Sequence, residues 1–174
     1  SRDILDWLDQ TLVNIKIDRI QRVHTRMEGG KEIIISRKST ATKDFLLESL
    51  AAGAKLNDGA DDKLTDLANA LKEMDLRDIS PESGIAFLED KIFTATYQTF
   101  KGLTVNLKMF TTGNDTWAQV KATADPKSAD AVKKAGVINA RAKGWVFKLW
   151  DYKVKPLRVQ MKDLLEKPKK KKSS

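Results

Sequence analysis

Between Leu103 and Met109 the chain alternates without a break, with Leu103, Val105, Leu107 and Met109 apolar and Thr104, Asn106 and Lys108 polar. A period of two sends these sets to opposite faces of a strand, so "KGLTVNLKMF" (101–110) predicts a strand with one buried face. The preceding "KIFTATYQTF" (91–100) alternates in the same way, and "TTGND" turns the chain into "TWAQVKATA" (116–124), which makes a further hairpin. Nearer the start, "RIQRVHTRMEGGKEIIISRK" divides around Glu28-Gly29-Gly30 into strands near 19–27 and 31–37, because paired glycines take the positive φ of a tight turn. "KDFLLESL" (43–50) reads as a third extended run completing a small meander.

Elsewhere the period changes to three or four. Leu64, Leu67, Ala68, Leu71 and Met74 form a helical stripe behind Asp61 and Asp62, acids that suit a helix N-terminus. Ala129, Val132, Ala135 and Ile138 form another, with Asp125 as N-cap, Pro126 in the first helical position and Gly144 just past the end. Ile4, Leu5, Leu8 and Leu12, with Trp7 beside them, predict a short amphipathic helix at the start. Leu157, Met161, Leu164 and Leu165 predict a last helix around 156–166. "RDISPESG" (77–84), punctuated by Pro81 and Gly84, reads as a connection.

The expected fold is therefore α+β: one domain over 1–166, mainly antiparallel, made of two strand-hairpin-plus-helix halves (1–80 and 85–166) between short N- and C-terminal helices. Hairpin followed by helix recurs at 19–76 and 91–143, although too few residues are shared for a sequence repeat. At 174 residues the chain is long enough to bury roughly 70% of its unfolded surface, and its 41% hydrophobic and 32% charged composition suits a globular body. No apolar run approaches the ~18–20 residues of a membrane-spanning helix.

The net charge of +8 is concentrated at one end. "KPKKKKSS" (167–174) holds five lysines and no acid, so residues 1–166 carry 27 cations against 24 acids. That end reads as a disordered lysine-rich tail, and nucleic-acid binding by a folded face is not favoured. Cysteine is absent, which excludes disulfides, thiolate metal sites and cysteine nucleophiles. The first twelve residues lack the basic start and apolar centre of a signal peptide, and a chain that opens on Ser1 rather than Met suggests a piece of something longer.

"KGWVFKLWDYKVKPL" (143–157) carries the densest aromatic cluster. As a strand it sets Trp145, Phe147 and Leu149 on one side and Val146, Lys148 and Trp150 on the other, a pattern that suits a strand covered on both faces better than an exposed stacking platform. Trp150 and Tyr152 are the residues expected at the surface, in contact with a partner. His24 is the sole histidine, so neither zinc-ligand spacing nor a local triad can be built around it, and it is read as surface or cross-strand packing. Asp58, Asp61 and Asp62 in "NDGADDKLTD" lack calcium-loop spacing. Glu82, Glu89 and Asp90 are carboxylates without a demonstrable pairing, and glycine-rich phosphate cradles are missing. No catalytic residue, cofactor or metal is expected; a hydrolase would need a deep cleft with a carboxyl of raised pKa. The candidate anion contacts are Arg19, Arg22, Arg26 and Lys31 on the first hairpin and Lys169, Lys170, Lys171 and Lys172 in the tail.

Taken in order, "ATYQTFKGLTVNLKM" (95–109), "TWAQVKATAD", "ARAKGWVFKLWDYKVKPL" (140–157) and "MKDLLEKP" (161–168), with "DWLDQTLVNIKIDRIQRV" and "KEIIISRK" before them, resemble bacterial proteins of the domain of unknown function 4340 family. The resemblance implies an envelope protein tethered by a transmembrane helix upstream of Ser1. Its soluble part would lie outside the cytoplasmic membrane, with a protein partner in the envelope and a role auxiliary to gliding-motility-type ABC transport. Without such an upstream segment the expectation reverts to the cytoplasm. No catalytic residues are assigned in that family, so none are carried over, and the expected function is a non-enzymatic interaction domain. The alternative is a polyanion or anionic-lipid binder working through the basic hairpin and tail.

Overall fold

The computed structural model describes residues 11–168, and everything below refers to them. The Leu103–Met109 alternation lies at the centre of a nine-stranded sheet. Its strands are β1 (Thr11–Val13), β2 (Ile20–Arg26), β3 (Glu32–Ser36), β4 (Leu46–Leu47), β5 (Met74–Pro81), β6 (Ile92–Thr99), β7 (Leu103–Thr112), β8 (Asp115–Ala124) and β9 (Trp145–Leu149). They lie in the order β1-β5-β9-β8-β7-β6-β2-β3-β4, each antiparallel to its neighbours. Four helices accompany them: α1 (Ala60–Ala68), α2 (Ala129–Ala142), α3 (Asp151–Leu157) and α4 (Met161–Leu164). The protein is α+β with the sheet dominant.

One face of the sheet carries the core. Val23, Phe93, Ala95, Tyr97, Val105, Leu107, Met109, Ala118 and Leu149 pack there against Leu64 and Leu67 of α1, Ala131 and Ala135 of α2, Leu157 of α3 and Leu164 of α4. The opposite face carries a small separate cluster in which Phe110, Trp117 and Val146 are buried. Phe87, from the loop before β6, covers it, its ring centroid 5.5 Å from that of Phe110.

The glycine pair at the first hairpin behaves as its sequence requires, both residues having φ near +85° (Gly29 +85°, Gly30 +88°). Gly144 adopts φ +81° just past α2, the position that favours a left-handed residue. Other expectations are corrected. The α1 stripe stops at Ala68, where Asn69 caps the helix; Leu71 is buried in the turn that follows, and Glu73, at φ +46°, ends that turn so that Met74 opens β5. The "RDIS" segment is strand rather than connection, pairing Asp78–Pro81 with Trp145–Lys148. The extended run at 43–50 shrinks to the two residues of β4.

Asp125 is not the cap of α2. Its carboxylate accepts from the Lys127 N–H (2.9 Å) in an Asp-Pro turn, and Ser128 caps the helix by accepting from the Ala131 N–H (3.3 Å). The buried face of α2 is Ala131, Ala135 and Ala142, leaving Ala129 and Val132 exposed. The last helix is two short ones. Pro156 lies inside α3 rather than at a start, and Gln160 with Asp163 forms a capping box that begins α4. The expected N-terminal helix falls mostly on 1–10, outside the described residues, and its final turn is β1 instead.

Two arginines tie the periphery to this core. Arg37, almost wholly buried, donates to the carbonyls of Ile20 (2.9 Å), Thr42 (3.2 Å) and Ile17 (2.6 Å), with its guanidinium over the rings of Phe45 (4.9 Å) and Phe100 (5.5 Å). Desolvation lowers its pKa, with the charge of Asp18 acting the other way. Arg158 grips both carboxylate oxygens of Glu28 (3.1 and 3.3 Å), donates to Thr111 Oγ1 (2.7 Å) and lies 3.8 Å from the Phe93 centroid. The C-terminal segment is thereby pinned to the first hairpin turn.

Candidate docking surface

Where β9 ends, Leu149 is sealed beneath the sheet and the next residue turns out to solvent. Trp150 is 40% exposed and Tyr152, one residue into α3, is 63% exposed. Their rings stack with centroids 6.4 Å apart and planes inclined by 29°. Arg77 lies over the Trp150 ring at 5.4 Å and Lys153 over the Tyr152 ring at 5.9 Å. Lys153 in turn donates to the Lys72 carbonyl. Arg77 reaches the ring because β5 and β9 slip register between Leu76 and Asp78, leaving it without a partner in the ladder. The four side chains make a ledge of two aromatic rings flanked by two cations, apolar enough to bury yet polar at its rim.

The remaining stretch behaves as a core strand. Val146, Phe147 and Leu149 are buried, whereas Trp145 is 37% exposed because the sheet runs out beside it, opposite Pro81.

The sheet's open edges are blunted by side chains. Beyond β9, the backbone of Ala122 in β8 would be bare, but the Asn139 amide accepts from its N–H and donates to its carbonyl, both at 2.8 Å. Beside β4, the Ile34 N–H is taken by Ser49 Oγ (3.2 Å). On β5 the Ile79 N–H is taken by Asp78 Oδ1 (2.8 Å), and Pro81 has no N–H to offer. At these three places a visiting strand would find the donor already engaged or missing.

The open face is read from the register. Its rows run Glu32, Arg26, Thr94, Lys108, Gln119; then Ile34, His24, Thr96, Asn106, Lys121; then Ser36, Arg22, Gln98, Thr104, Thr123. Arg22 and Arg26 thus share a face, set about 13 Å apart by four residues of strand. Arg19 does not join them: it lies on the 3₁₀ turn Ile17–Arg19, near Lys101, Lys134 and Asp130. Lys31 is exposed in the turn, and Lys169, Lys170, Lys171 and Lys172 lie outside the described residues. His24 faces Glu32, Nε2 to Oε1 being 3.4 Å.

A groove of about 520 Å³ runs past Ile15, Phe100, Leu103 and Ala131, bordered by Asp18, Arg19, Lys101, Asp130 and Lys134. Hydrogen bonding and charge from Lys134 hold the Asp130 carboxyl below its usual range, with Lys101 and Arg19 adding to the effect. Glu48 is likewise lowered, first by the Ser36 hydroxyl and then by Arg22. Both shifts oppose the raised pKa of a general acid. Asp58, Asp61 and Asp62 form the turn and start of α1, and Glu82 accepts from Gln119 (3.0 Å). Among the described residues no three His, Asp or Glu side chains converge as metal ligands, and no helix is long and apolar enough to cross a membrane.

Sequence reasoning singled out Trp150 and Tyr152 but not Arg77 or Lys153. Arg77 sat in a segment read as a connection; Lys153, only three residues beyond Trp150, was within reach of the aromatic pattern. Comparison with protein-family models, curated proteins and solved structures returns no match to this chain.

Proposed function

We propose that this chain is a non-enzymatic interaction domain that docks on a protein partner through the Trp150–Tyr152 ledge. The observation that carries the reading is the stacked, exposed pair between Arg77 and Lys153. Exposed aromatics beside arginine are the residue types that dominate protein interfaces, since they bury much area at little entropic cost. Capped edges at Ala122, Ile34 and Ile79 favour docking by a surface over docking by strand addition.

The setting comes from the sequence resemblance: a membrane-tethered bacterial envelope protein, on the extracytoplasmic side, auxiliary to an ABC-type transport system. That setting expects an apolar stretch of about 20 residues encoded before Ser1. Its absence would return the domain to the cytoplasm without touching the ledge.

The test is quantitative co-purification from source cells with the full chain and its Trp150→Ala/Tyr152→Ala variant. The specific partner should fall at least tenfold with the variant while the melting temperature stays nearly constant, as exposed residues allow. An unchanged set of co-purifying proteins would contradict the reading.

A further inference from the structure

The open face of the sheet presents a second surface with different chemistry. In the three rows that cross β6, β7 and β8 between Thr94 and Gln98 the outward positions are Thr, Gln, Asn and Lys; beyond those rows the same face holds the buried Phe110 and Trp117 and, at the start of β8, Asp115. Lys108 and Lys121 are exposed and make no ion pair among the described residues. The carboxylates sit at the margins of those rows and each has a partner: Glu48 is paired with Arg22 (3.4 Å), Asp115 with Lys148 (3.1 Å), Glu32 lies against His24, and Glu82 accepts from Gln119. Strands about 4.8 Å apart place Arg26 and Lys108 roughly 10 Å from each other. Cations are therefore spaced across a field of hydroxyls and amides.

We infer that this face binds an acidic polysaccharide: Arg22, Arg26, Lys108 and Lys121 meet its carboxylates or sulfates, and Thr94, Thr96, Gln98, Thr104 and Asn106 meet its hydroxyls. Charge complementarity selects a polyanion. The face carries no exposed aromatic ring among those rows, so it has no platform on which bases could stack, and single-stranded nucleic acid is the poorer fit. Hydroxyl and amide side chains are both donors and acceptors, the property that sugar hydroxyls require. This inference concerns a surface other than the aromatic ledge and stands if the ledge reading fails.

The experiment titrates the full chain with polygalacturonate, neutral dextran and a 20-mer of thymidylate at two salt concentrations, following backbone amide shifts. Polygalacturonate should move the signals of Lys108, Lys121 and their strand neighbours, dextran should not, and binding should weaken as salt rises. Lys108→Glu/Lys121→Glu should weaken binding about tenfold, two reversed surface contacts, while Lys127→Glu/Lys162→Glu, with the same net charge, changes it less than twofold. Lys108→Gln/Lys121→Gln, with its melting temperature, guards against misfolding and should give an intermediate loss. Equal losses in the Lys108/Lys121 and Lys127/Lys162 charge reversals would mean attraction to net charge alone and overturn the inference. Tighter binding of the oligonucleotide at the same face would overturn it in favour of nucleic acid.

Discussion

The Tyr97 hydroxyl donates to the Leu67 carbonyl at 2.7 Å, joining the core face of β6 to the last turn of α1. Tyr97 is fully buried, and burial pushes its pKa well above that of a free tyrosine.

Tyr97→Phe removes one buried hydrogen bond and should cost about 1 kcal/mol at pH 7. Because the folded pKa is raised above the unfolded value near 10, the contribution from keeping the ring neutral is complete below pH 10 and is lost as pH climbs above it. Urea denaturation at pH 8 and pH 11 should show the gap between wild type and variant narrowing at the higher pH.

Replacing Arg37 by Met leaves the carbonyls of Ile17, Ile20 and Thr42 without their donor and should destabilise by roughly 2–4 kcal/mol. Arg37→Lys should recover only part, because one ammonium cannot reproduce a planar fork that both donates three ways and stacks on Phe45 and Phe100. The midpoint of urea unfolding should fall while the slope stays constant.

Asn139→Ala uncovers the edge of β8 at Ala122. Loss of two hydrogen bonds should cost about 1–2 kcal/mol, and amide exchange at Ala122 should accelerate more than at the paired positions of β7. Equal exchange at both would mean that the edge was never protected by that side chain.

The Glu28–Arg158 pair is half-exposed but bidentate, and Arg158 also lies over Phe93. A double-mutant cycle to Ala should give a coupling energy near 1 kcal/mol. Arg158→Ala alone should cost more than Glu28→Ala, since it also removes the contacts with Phe93 and Thr111.

What was legible followed from period and punctuation. Leu103 to Met109 alternate so strictly that strand, face and burial all follow, and Gly29, Gly30 and Gly144 mark turns that their φ values need. Met74 was misplaced because Leu71 and Met74 keep a helical spacing across a turn, from Asn69 to Glu73, in which the backbone has already left the helix. β5 was hidden because Met74 and Leu76 alone are buried among its eight residues, which leaves no alternation to see. On α2, Ala129, Ala131 and Ala135 are chemically alike, so the inward side is settled by neighbours and not by composition. Within the ledge, Trp150 and Tyr152 stand out after a strand that buries Val146, Phe147 and Leu149. The Arg77 contribution depends on a register slip between distant strands, which no local pattern records.

The central claim, that the ledge is where a protein partner sits, is tested most directly by site-specific photocrosslinking in source cells. A benzophenone side chain at position 152 should yield one discrete protein adduct that disappears when Trp150→Ala is added, while the same group at position 127 yields none. No adduct at 152 beyond that seen at 127 would contradict it.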